Sequence, residues 1–76
     1  MNKARRETLE ELHTKITDLK DILEEVMREE EEYRDNMPEN LHGSERYEKA
    51  DEACSALYEA VSQLEEAASN IETVME

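Results

Sequence analysis

Two uninterrupted ladders of apolar residues, one on each side of the chain's only proline and only glycine, constrain what this sequence can fold into. The first runs Leu9, Leu12, Ile16, Leu19, Leu23, Val26, Glu30, Tyr33, Met37, and the second Tyr47, Ala50, Cys54, Leu57, Val61, Leu64, Ala68, Ile71, Met75. Alternating steps of three and four keep one stripe of a slightly underwound helix turned toward a partner, which is the seam of a left-handed coiled coil. Folded back between the ladders, residue 33 falls level with 47, 26 with 54, 19 with 61 and 12 with 68. The pattern predicts an all-α chain: one antiparallel two-helix coiled-coil hairpin covering residues 1–76. Helix one is expected over about 3–35, a turn over 36–43, and helix two over about 44–75.

The breaks have local causes. Met37-Pro38 ends the first helix, because the residue before proline is pushed out of the helical region. Ser44 is suited to cap the second helix, with Glu45 at the positive end of its dipole. Leu41 is the turn residue expected to tuck under the hairpin end. The run Glu29-Glu30-Glu31-Glu32 reads as a solvated helix face.

Residues flanking the seam say how the helices meet. With Leu9 and Tyr47 at heptad position a, helix one carries Arg6, His13, Lys20, Met27 and Arg34 at e, and helix two carries Asp51, Tyr58, Glu65 and Glu72. In an antiparallel pair e faces e, so Arg6 is expected opposite Glu72 and His13 opposite Glu65, fixing the register. On the other edge, position g of helix two holds Ala53, Ala60, Ala67 and Val74, with Ile22 the large apolar residue facing them. This strip widens the apolar surface beyond what one partner helix covers. A hairpin of this length also buries a small core. Both points predict a second partner on that edge, either another copy, giving a homodimeric four-helix bundle, or a different protein.

Charge restricts that partner. The chain has 22 acidic and 9 basic residues, a formal net charge of −13, so nucleic acid and anionic membrane surfaces are disfavoured by repulsion. A basic or DNA-binding surface of a host protein is the complementary target. No stretch resembles a signal peptide or a membrane span, and the single cysteine cannot form an internal disulfide; a cytoplasmic protein is expected.

Chemical sites are poorly represented, and neither enzyme activity nor a cofactor is expected. Glu10-x-x-His13 has the spacing of di-iron bundles, but both residues flank the seam and helix two has no matching pair; a metal-binding bundle is the remotest reading. Glu39-x-x-His42 repeats the spacing in the turn. Cys54 occupies position a and reads as a small buried hydrophobe without cations to activate a thiolate. Glu30, the polar member of its ladder, is expected to reach solvent beside Ala50.

The stretch Asp35-Asn36-Met37-Pro38-Glu39-Asn40, followed by Gly43-Ser44-Glu45-Arg46-Tyr47-Glu48, resembles a family of small uncharacterised acidic proteins of Firmicutes and their phages and prophages. That resemblance implies a mobile-element or accessory protein and carries no functional residue. Together with the charge, it leads to the expectation of a small interaction protein that modulates or inhibits a host protein, with counter-defence by a DNA-like acidic surface as one form. A structural or assembly hairpin with no inhibitory target is the alternative.

Overall fold

In a computed structural model describing all residues from Met1 to Glu76, two long helices lie antiparallel and no strand is present. Helix α1 spans Lys3–Asp35. Asn2 starts it by accepting a hydrogen bond on its side-chain oxygen from the Arg5 N–H at 2.8 Å, satisfying an otherwise unpaired amide of the first turn. Its last turn closes through the Asn36 and Met37 amides, which donate to the carbonyls of Glu32 and Arg34. Pro38 then turns the chain into a single 3-10 turn at Glu39–Leu41.

Helix α2 spans Glu45–Met75. Ser44 links it to the turn: its hydroxyl donates to the Leu41 carbonyl at 2.6 Å and accepts from the Tyr47 amide at 3.2 Å. Glu45 and Glu48 occupy the first turn, where carboxylates favour the helix dipole. The His42 ring stacks on Tyr47 with centroids 4.6 Å apart, and its Nε2 lies 3.1 Å from the Met37 carbonyl. Arg46 Nε donates to the Tyr33 hydroxyl at 2.8 Å, joining the two helices at the hinge. The guanidinium carbon is 6.0 Å from that ring's centre, at the outer limit for a cation–π contact, so the hydrogen bond is the stronger tie. Leu41, expected to tuck under the hairpin end, remains 39% exposed. Gly43 has no positive φ, and a Cβ there would meet nothing within 4 Å.

Cross-helix partners fall in sequence along α1 as they rise along α2, from Arg34 with Asp51 to His13 with Glu72, which fixes the antiparallel sense. The rod measures 59 × 14 × 14 Å. Its buried residues are Ala50, Cys54 and Val61, all on α2. No buried side-chain polar atom lacks a hydrogen-bond partner, and no helix is long and apolar enough to cross a membrane.

Candidate interaction surface

The edge carrying the heptad e positions joins the helices electrostatically. Arg34 lies 2.9 Å from Asp51 and 3.0 Å from Asp35, Lys20 lies 3.3 Å from Glu24 and 3.9 Å from Glu65, and His13 Nε2 lies 2.9 Å from Glu72. These pairs correct the expected register contacts. Glu72 meets His13 instead of Arg6, Glu65 meets Lys20 instead of His13, and Arg6 has no ion-pair partner. The displacement runs in the direction in which each Cα–Cβ bond leans, toward its own helix N-terminus. In an antiparallel pair the side chains of α1 lean away from the hinge and those of α2 toward it, so each residue reaches a partner one heptad farther along α2.

The same edge governs which stripe of α1 is covered. The side chains of Lys20, Arg34 and His13 are only 24%, 23% and 27% exposed, and each places a nitrogen within 4.0 Å of an α2 carboxylate, Glu65, Asp51 and Glu72 in turn. This rotates α1 so that positions a and e, rather than a and d, meet α2. The d row, placed in the seam by its spacing, instead turns outward: Leu12 is 42% exposed, Leu19 57%, Val26 43% and Tyr33 44%. Small α2 residues at the contact, Ala50 and Cys54, favour the rotation by letting the long e side chains approach closely.

On the opposite edge, Ile22 is 60% exposed and Val74 52%, while Ala53, Ala60 and Ala67 are half-buried beside the outward d row. Leu12, Leu19, Val26 and Tyr33 join Ile22 and Val74 as exposed apolar side chains, while the alanines are half-buried. The signal for those additions was present in the e row: the long cationic stems of Lys20 and Arg34, with the His13 ring, face three α2 carboxylates and compete with the leucines for the surface of α2.

The titratable groups follow from these contacts. Hydrogen bonding to Asp35, with Asp51 adding to it, holds the Arg34 guanidinium even more firmly protonated than usual. Lys20 is raised above 10.5, chiefly by its hydrogen bond to Glu24, with the charges of Glu24, Asp21 and Glu65 adding. Burial pushes the Cys54 thiol above 9.0; Arg34 opposes the shift, and Glu30, Glu31 and Asp51 support it. A neutral thiol enclosed by helix packing is a packing residue, not a nucleophile. Half-buried Glu30 makes no ion pair. Glu10 is exposed while the His13 ring is directed to Glu72, so these two do not converge. No cluster of three or more His, Cys, Asp or Glu is placed to hold a metal ion.

No protein-family model, curated protein or solved structure matches this chain.

Proposed function

We propose that this chain is a small acidic protein–protein interaction module, associated with phages or prophages, that works by binding and not by catalysis. It self-associates through its open apolar side into a four-helix bundle in the cytoplasm. Its acidic outer surface binds a host protein with a basic or DNA-binding surface and modulates or inhibits it. The observation that carries this reading is the segregation of charge: after Lys49 the chain bears seven acidic residues, six of them on α2, and no basic one, whereas the open apolar side is nearly free of acid.

Magnitude limits how closely that surface imitates DNA. Seven carboxylates over the span from Asp51 to Glu76 give about one charge per 5 Å at about 1.5 Å of rise per residue, against one per about 1.7 Å of duplex axis. A discrete basic patch is the better match than a whole DNA-binding groove. The second reading, a structural hairpin that only assembles with itself, is favoured by the exposed apolar row, which calls for self-association without any further target.

Affinity capture of host proteins with the wild type, and with Glu52, Glu59 and Glu66 all changed to Gln, separates the two. The interaction reading expects a basic protein captured by the wild type, released by added polyanion and lost from the triple variant. Capture that ignores both changes, or no specific capture at all, overturns it in favour of the assembly hairpin.

A further inference from the structure

The exposed row of α1 has an internal symmetry that the hairpin does not use. Ile22 stands at its middle, with Lys15 seven residues before it and Glu29 seven after, on the same helix face. Neither Lys15 nor Glu29 has an ion-pair partner within 4.0 Å, which is also true of Arg5, Arg6 and Arg46, whereas Lys20, Arg28, Arg34 and Lys49 are paired. The outward apolar residues are centred within half a residue of the same point: Leu19 and Val26 lie three and four residues from Ile22, and Leu12 and Tyr33 ten and eleven.

We propose that a second copy of this chain docks on this side with the two α1 helices antiparallel and crossing at Ile22, so that Lys15 of each copy meets Glu29 of the other. The proposal rests on the reading of the chain as self-associating and adds to it a partner surface and an orientation. A twofold axis through Ile22, perpendicular to α1, exchanges Lys15 and Glu29, each about 10 Å from the axis at about 1.5 Å per residue. It also sets Leu19 against Val26 and Leu12 against Tyr33 of the second copy. On α2 the same axis passes near Ala60 and exchanges Ala53 with Ala67, small residues that let the second pair of helices approach closely.

Charge favours a second copy as the occupant. A chain of net charge −13 meets carboxylates on most approaches to its own kind. Between Thr8 and Tyr33 the outward d and g positions of α1 carry only Lys15 and Glu29 as charges, and between Lys49 and Val74 the g and c positions of α2 carry only Lys49. Lys49 is already held by Glu45 at 3.2 Å. A basic partner would gain nothing from a side so poor in acid. The alternative dimer, with both hinges at one end, would set α1 against α2 of the second copy and leave Lys15 opposite Gln63 and Ala67. One 59 × 14 Å side of the rod offers about 800 Å² per partner, the size of a standard specific interface.

Sedimentation equilibrium on the full chain, with short bismaleimide crosslinking of single cysteines in a Cys54→Ala background, tests the arrangement. The expected result is a dimer that crosslinks through Ile22→Cys and not through Asn40→Cys at the hinge. Lys15→Glu should weaken the dimer by about tenfold, since two cross-copy pairs become repulsions, and Lys15→Glu with Glu29→Lys should restore it. A dimer that crosslinks through Asn40→Cys and not Ile22→Cys overturns the orientation while self-association stands. Failure of the double variant to restore the dimer overturns the Lys15–Glu29 pairing. A chain that stays monomeric at all concentrations overturns both this proposal and the self-association on which it rests.

Discussion

Cys54 shows how one side chain reports the state of the whole interface. It is 6% exposed on the face of α2 that meets α1, and burial raises its thiol above 9.0 despite the nearby Arg34 guanidinium. A folded-state value above the unfolded one means that the native chain holds this proton more tightly. The stability this contributes is complete below the unfolded value and is lost as pH rises through the folded one. Unfolding midpoints in denaturant should therefore be flat from pH 7 to 8 with respect to this group and fall above about pH 9. A Cys54→Ala variant should lack that decline; an equal decline in both would show that another group causes it. Lys20 shifts in the same direction through Glu24, but its window opens only above 10.5, so the two groups separate on the pH axis. Alkylation of Cys54 at pH 8 should likewise be at least about tenfold slower in the folded chain than in urea, because the thiolate is the reacting species.

At the scale of the elements, the hinge depends on side-chain capping more than on backbone freedom. Ser44 holds both the Leu41 carbonyl and the Tyr47 amide, so Ser44→Ala should cost about 1 kcal/mol in chemical denaturation. Gly43 lacks a positive φ and has open space where a Cβ would go, so Gly43→Ala should stabilise the hairpin by about 0.5 kcal/mol, through lower entropy of the unfolded chain. A loss on Gly43→Ala would mean that the turn needs glycine's freedom after all. The two helices were legible in the sequence because periodicity and breakers are local signals: the steps from Leu9 to Met37, Pro38 as a stop and Ser44 as a cap each act within a few residues. The rotation of α1 was not legible in the same way. Spacing places positions a and d together in the seam, and it does not show that Lys20 at e takes the place beside α2 that Leu19 at d would fill. The register contacts were offset for a related reason, since heptad letters give a residue's place on the helix but not the lean that carries His13 to Glu72. The alanine spacing is a property of the sequence itself, whereas the exposure of Leu12, Leu19, Val26 and Tyr33 needed the packed pair.

For the whole molecule, the balance of charge sets how the fold responds to its medium. The ion pairs that join the helices, Arg34–Asp51 and Lys20–Glu65, are exposed at their acidic ends: Asp51 is 58% exposed and Glu65 56%. Pairs of this kind each contribute about 0–1 kcal/mol and weaken as salt is added. Against them stands the mutual repulsion of a net charge of −13 along a rod 59 Å long and 14 Å wide, most of it on exposed side chains. Repulsion acts over many pairs of carboxylates at distances comparable to the screening length, about 10 Å at 0.1 M salt, so screening relieves more of it than it removes of the few attractive contacts. The melting temperature is therefore expected to rise as sodium chloride increases from about 0.01 to 0.3 M, where the screening length shrinks from about 30 Å to well below 10 Å. A net gain of about 1 kcal/mol corresponds to about 4–8 °C for a domain of this size. Calorimetric scans at fixed protein concentration and pH 7 would measure it. A melting temperature that falls steadily over that range would show instead that contacts such as Arg34 with Asp51 outweigh the repulsion, and that the acidity of the outer surface is less costly to this fold than its net charge implies.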